Sequence, residues 1–293
     1  MAEPRNASKA KGKRYYMWES PEATERYWSV TTIIDGGIPK PALLGWAVKQ
    51  TAIYAIENHQ LLGLHIAKDL DDSGQLPPAD PDTRKPTGRG CLEAYKLLWD
   101  ARWQVSERAA NLGTRIHEAI EAYVLDKPAP EWPEDVRPFL ENAMAFLRDF
   151  EVMVEMTEAS VFNRSQRYAG TLDMIATING ERWLIDFKTG SGVYAEAALQ
   201  MSAYAHAEFI GRPDNSEEPM PRIDHAAIVH LRPEHYSFIP VRIDDAIFNT
   251  FLYAREVFRW AEETSKKVVG DSLASLDDLT SFLEERSQKA VTA

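Results

Sequence analysis

The stretch from Gly170 to Gly190, GTLDMIATINGERWLIDFKTG, sets two aspartates and a lysine around one tight turn. Asn179-Gly180 is a strong signal for a two-residue hairpin between apolar, β-branched runs. Ile178 then faces Glu181, and counting outward places Asp173 directly opposite Asp186. Residues so opposed have Cβ atoms roughly 4.5–5.5 Å apart, where like charges repel. Side chains alternate along a strand, so Asp186 and Lys188 share one face while Phe187 points to the other. A divalent cation between the carboxylates would turn repulsion into binding. Hard cations such as Mg²⁺ take one or two protein carboxylates together with water and phosphate.

The same counting extends upstream. Glu158 to Asn163 reads as a strand and Arg164 to Arg167 as a four-residue loop. If Asn163 faces Tyr168, Glu158 faces Asp173, and three acids converge. A loop of this length fixes register less tightly than a two-residue turn. Arg164 and Arg167 are then expected to flank the acidic site. Each residue also has a bland alternative: solvated acids on a sheet face, and a simple ion pair between Lys188 and Asp186.

The elements that must hold this patch read as helices, then three antiparallel strands, a helix, two strands and a helix. That order predicts a mixed α/β (α+β) domain with a largely helical N-terminal part. Residues 1–14 are expected to form a disordered basic tail, 15–263 one domain, and 264–293 an acidic tail with a weak helix near 276–289. Short strands, or a helix start at Ser29, are expected over 15–34. A helix follows Pro41. Residues 69–90 form a loop rich in Pro, Gly and Asp. The pattern over 92–124 predicts two helices broken near Asn111-Leu112-Gly113. Residues 193–211 predict one helix ending at Gly211, and Asp244 or Asp245 starts the last. The eight tryptophans are expected in the core.

Composition narrows the class. The 293 residues are 44% hydrophobic and 27% charged, ordinary values for a globular protein. No run approaches the ~20 apolar residues of a membrane span. The N-terminal MAEPRNASKAKGKR lacks an apolar core, so no signal peptide is expected. The single cysteine, Cys91, excludes a disulfide framework or a four-cysteine cluster and fits a reducing cytoplasm. A net charge of −12 argues against a surface that coats nucleic acid, yet leaves room for a local basic groove.

The ordered set GTRIHEAIEAY, GTLD, LIDFKTG and LQMSAYAHA resembles the PD-(D/E)XK nuclease superfamily, and most closely its RecB-type branch of phage and CRISPR-associated exonucleases. The motifs span residues 113–204. The resemblance implies a restriction-endonuclease-like core and a DNA exonuclease acting in recombination, replication or processing, with a phage recombination or replication protein as a possible partner in the host cytoplasm. It implies Asp173, Asp186, Glu158, His117 and the Phe187 carbonyl as ligands of Mg²⁺ or Mn²⁺. Lys188 would orient or deprotonate the attacking water. Gln200 and Tyr204, four apart on one helical face, would hold DNA or order the site, and Arg164 and Arg167 would contact DNA. Leucine stands where many relatives have proline before the first Asp. The four cysteines that hold an iron–sulfur cluster in CRISPR-associated relatives are absent, so no cluster is expected. Alternatives are a structure-specific endonuclease, a non-catalytic DNA-binding module and a regulatory metal-binding protein. His206, His225, His230 and His235 are read as structural, and Glu121 as a solvated helix residue.

Overall fold

Strand β5 (Tyr168–Ile178) is the hub of the molecule, and its neighbours follow from the hairpin chemistry of the sequence. Asn179 and Gly180 both take positive φ, as a two-residue turn requires, and pair Ile178 with Glu181 at the start of β6 (Glu181–Lys188). The four-residue loop likewise pairs Asn163 with Tyr168, joining β5 to β4 (Met153–Asn163) in the expected register. The computed structural model describes residues 6–10, 12–20, 23–127, 132–270, 272 and 280.

These strands belong to a mixed sheet of ten. The N-terminal meander β1 (Ala7–Ala10), β2 (Lys13–Glu19) and β3 (Thr24–Ser29) joins β5 through a short parallel pairing at Tyr168 and Ala169. On the far edge of β4 lie β7 (Phe209–Gly211) and β8 (Glu217–Pro219). Beyond β6 run β9 (His225–Leu231), parallel to it, and β10 (Tyr236–Val241). The same edge of β5 therefore serves two strands: its start pairs with β3, and Met174–Ile178 pairs with β6.

Seven α-helices accompany the sheet among the described residues. On one face, α1 (Val30–Gly37), α6 (Glu196–Ala205) and α7 (Asp245–Arg259) bury Val30, Ile33, Met201 and Phe251 against Leu172, Ile175, Leu184 and Ile228. On the other, α4 (Arg89–Val124) and α5 (Arg137–Asp149) bury Ile116, Ile120 and Phe146 against Met174, Ile185, Phe187 and Val229. The period-two alternation along β6 and β9 thus feeds two cores. Helices α2 (Pro41–Glu57) and α3 (His59–Ile66) pack on the N-terminal half of α4, and α2 has no fully buried side chain.

Several expectations fail for long-range reasons. Part of the tail expected to be disordered is strand: β1 pairs with β2, and the Lys13 ammonium meets Glu262. The break at Asn111–Gly113 does not occur, and α4 runs unbroken for 36 residues. Gly113 instead permits a close approach, since a Cβ there would lie 3.2 Å from Thr189 Oγ1. The helix expected to end at Gly211 stops at Ala205, because Phe209–Gly211 finds the free edge of β4. Three of the tryptophans expected in the core, Trp99, Trp103 and Trp260, are more than half exposed. The weak C-terminal helix falls outside the described residues apart from Thr280. Asp244 does cap α7, accepting from the Ala246 and Ile247 amides. No helix is long and apolar enough to cross a membrane among the described residues.

Gly170 fastens α6 to the sheet. A Cβ there would lie 2.3 Å from the ring of buried Tyr204, with no room to yield. Gly170→Ala should destabilise the protein by about 1–3 kcal/mol, the range for overpacking. Urea unfolding measures it, and in a Tyr204→Ala background, where the opposing ring is gone, the same substitution should cost less.

Candidate metal centre

The hairpin ladder between β5 and β6 ends at Met174 and Ile185, one rung short of the two aspartates. Past that rung the strands part. Asp173 bridges the opening, with Oδ2 accepting the Phe187 amide at 2.8 Å. A side chain there replaces a ladder carbonyl and keeps both carboxylates beside one gap. Glu158 arrives from β4, bracketed by the pairs Ala159–Leu172 and Thr157–Met174, so it lies level with Asp173. Its φ of 48° is a left-handed conformation that a non-glycine residue holds only at a cost of about 1–3 kcal/mol.

His117 comes from the far end of α4. Its Nε2 donates to the Phe187 carbonyl at 3.1 Å. Its Nδ1 lies 3.6 Å from Asp173 Oδ2 and 3.7 Å from Glu158 Oε1. Ligand atoms of His117, Glu158 and Asp173 fall within 4.8 Å of one another. A cavity of about 10 Å³, walled by these residues with Thr157 and Phe187, adjoins them. That is about the room one water or ion needs. A roomier cavity of about 530 Å³ lies beside Trp183, Asp224 and Arg242 and gathers no comparable donor set.

Asp186 is almost fully buried and faces α6. Lys188 Nζ donates to its Oδ1 at 2.9 Å, and Gln200 Nε2 donates to the same oxygen at 3.2 Å. Oδ2 sits 2.8 Å from Nζ but has no hydrogen bond of acceptable angle. It is a buried oxygen with unused acceptor capacity. Gln200 also donates to the Tyr204 hydroxyl at 3.3 Å.

The electrostatics follow from this crowding. Burial raises the Asp173 carboxyl, His117 opposes it, and Glu158 adds to the rise. Burial likewise raises Asp186 against the pull of Lys188, with Asp173 contributing. Burial disfavours charge on His117, but Asp173 and Glu158 outweigh it and hold the imidazole up at about 9. Lys188 is raised too: burial works against its charge and loses to Asp186 and Asp173. At neutral pH both bases are cations facing the acids.

The donor set fits a divalent metal. Carboxylate oxygens suit Mg²⁺ or Mn²⁺, and one imidazole tilts the choice toward Mn²⁺. His117, Glu158 and Asp173 would hold the ion; Asp186, also expected as a ligand, is outside that group and is engaged by Lys188 and Gln200. The Phe187 carbonyl, expected as a ligand, borders the site but already accepts from His117.

Other expected residues go elsewhere. Arg164 pairs with Glu25 at 3.0 Å and Glu217 at 2.6 Å, and Arg167 pairs with Glu25 at 3.0 Å. Their loop is five or more strand residues from Glu158, about 17 Å at 3.3 Å per residue, so they do not flank the acids. Tyr204 is buried and Gln200 half-buried, and their bonds to Asp186 and to each other match the second of the two expected roles, ordering the site. Sequence reasoning missed Arg232, which with His230, read as structural, donates to the Gly190 carbonyl at 2.8 Å each and holds the loop after Lys188. Their places in β9 and just after it carry no local signal.

No family model matches this chain, and neither does any curated protein. Among solved structures, the crystal structure of SSO0001 aligns with 54% of this chain and 89% of its own, at 14% identity and a TM-score of 0.27. Agreement that loose transfers no function.

Two outcomes test the geometry. Asp173→Asn removes a repelling charge while keeping an acceptor for the Phe187 amide. Without metal it should melt at or above the wild-type temperature. Wild type should gain about 2.7 kcal/mol from Mn²⁺ at 100 times its Kd, and the variant should gain little. In EDTA, His117 should titrate near 9 by NMR, against 6.5 for an ordinary histidine. A raised histidine stabilises fully below pH 6.5, and the effect is lost as pH passes 9. The gap in unfolding free energy between wild type and His117→Gln should therefore narrow between pH 6.5 and 9.5.

Proposed function

We propose that this chain is a divalent-metal-dependent DNA exonuclease of the PD-(D/E)XK, RecB-like kind. The observation that carries the reading is the convergence of His117, Glu158 and Asp173 near the ion pair of buried Asp186 with Lys188. Structural ion pairs do not require three acids around one gap, and a pure DNA binder gains nothing from burying them. The resemblance of GTLD, LIDFKTG and LQMSAYAHA to that superfamily supports the same reading and suggests a role in recombination, replication or DNA processing.

Hydrolysis of a phosphodiester needs a neutralised phosphate, a positioned water and a stabilised leaving oxygen. Bound Mg²⁺ or Mn²⁺ supplies Lewis acidity and lowers the pKa of water. Lys188 keeps its proton at neutral pH, because Asp186 and Asp173 raise it. Its role is to orient the water and to face developing negative charge, rather than to take a proton. Gln200 shares Asp186 Oδ1 with Lys188 and so fixes the direction of the ammonium. His117 must release a proton before its Nδ1 can serve as a ligand, so metal binding should strengthen with pH.

The test is hydrolysis of end-labelled linear DNA and closed circular DNA in Mg²⁺ or Mn²⁺, with EDTA and Lys188→Ala as controls. Linear DNA should be degraded, the circle spared, and EDTA should abolish activity. Lys188→Ala should lower kcat by about 10²–10³, the loss for removing one electrostatic donor. Cutting of the circle would make the protein an endonuclease. DNA bound without hydrolysis in either metal would overturn the enzymatic reading.

A further inference from the structure

Helix α4 carries His117 near its C-terminal end and two half-exposed indoles, Trp99 and Trp103, toward the other. Arg102 lies between them, its guanidinium 4.8 Å from the Trp99 ring centroid and 4.9 Å from that of Trp103. Tyr95 stacks on Trp99, with centroids 6.0 Å apart and planes at 25°. The result is a ladder of aromatic rings with a cation held in it, open to solvent.

The ladder points at the site. Trp99 and His117 are 18 residues apart, which is five turns at 3.6 residues each, so they share one azimuth. Trp103, at the same 100° per residue, lies about 40° from it. The axial distance from Trp99 to His117 is about 27 Å. Ser106 and Ala110 fill the interval on the same face, both small and exposed, and Gly113 beyond them lies against Thr189. Ala94 and Ala101 point the other way and are buried on the side where α2 and α3 pack. The charge is also right: residues 84–108 hold six basic and three acidic side chains, a local +3 in a chain of −12.

We infer that this face of α4 is a stacking platform for single-stranded nucleic acid, delivering a strand along the helix to the metal centre. The inference rests on the nuclease reading for its destination and names the substrate class that reading leaves open. Aromatic faces stack any base, while interleaved cations track the backbone. A protein partner would gain nothing from alignment with His117; a strand being fed to the site requires it.

The experiment measures anisotropy of labelled oligo(dT) of about 16 nucleotides, the upper end of known site sizes, and of a duplex of equal length, both in EDTA. Wild type should prefer the single strand. Trp99→Ala with Trp103→Ala should weaken that binding tenfold or more and move duplex binding less than twofold. Trp99→Phe with Trp103→Phe should restore most of it. Both pairs are at the surface, and circular dichroism checks the fold. Oligo(dT) binding unchanged in the alanine variant overturns the inference. A change in self-association alone also overturns it, in favour of a protein interface. Metal-dependent cleavage with no effect of the tryptophans sinks the platform and leaves the nuclease. Tryptophan-dependent binding with no cleavage in Mg²⁺ or Mn²⁺ does the reverse.

Discussion

The structure turns on one place where a ladder stops. β5 and β6 pair up to Met174 and Ile185, then part, and the Asp173 carboxylate takes the Phe187 amide that the ladder would have taken. An unpaired buried amide would cost about 1–3 kcal/mol. An aspartate in that position satisfies it and also sets a carboxylate in the gap. The carboxylates crowd there, and two cations compensate: Lys188 on Asp186, and His117 between Asp173 and Glu158. Remove the compensation and three acids repel in a low dielectric.

Everything around the gap keeps these charges in register. β9 runs parallel to β6, and His230 and Arg232, at its end, pull the Gly190 carbonyl back toward it. Helix α6 supplies Gln200 to Asp186, and its own seat is the bare backbone of Gly170 under Tyr204. Helix α4 reaches in from the opposite face with His117, anchored by Ile116, Ala119 and Ile120 in the core beneath. The gap is thus served from both faces of the sheet. A strand hairpin alone could not gather an imidazole and a glutamine around the same pair of acids.

The remaining cations are largely committed elsewhere, which matters in a chain of net −12. Arg164 and Arg167 clamp Glu25 and Glu217 together and lie over Phe209 and Tyr27, tying the N-terminal meander to the β4–β5 loop. Those pairs fix architecture. Positive charge available to a polyanion lies instead toward the N-terminal half of α4, where the aromatic ladder stands. Net charge therefore says little about partners here; its distribution along one helix says more.

The sequence by itself determined the hairpin. Asn179-Gly180 and the loop at 164–167 place Asp173, Asp186, Lys188 and Glu158 by counting, because turn chemistry and the two-residue period are local properties. The Asp244 cap and the strands β9 and β10 were legible for the same reason. What needed the tertiary structure was every decision made across distance. Ala7–Ala10 becomes a strand only because β2, itself paired with β3, offers an edge. Phe209–Gly211 leaves its helix because β4 has a free one. Gly113, a breaker on local grounds, stays helical where α4 passes close to Thr189. Tyr204 is buried and Trp99 is not, though both are aromatic residues on helices, because burial is set by which neighbour arrives and the chain does not encode that within one turn.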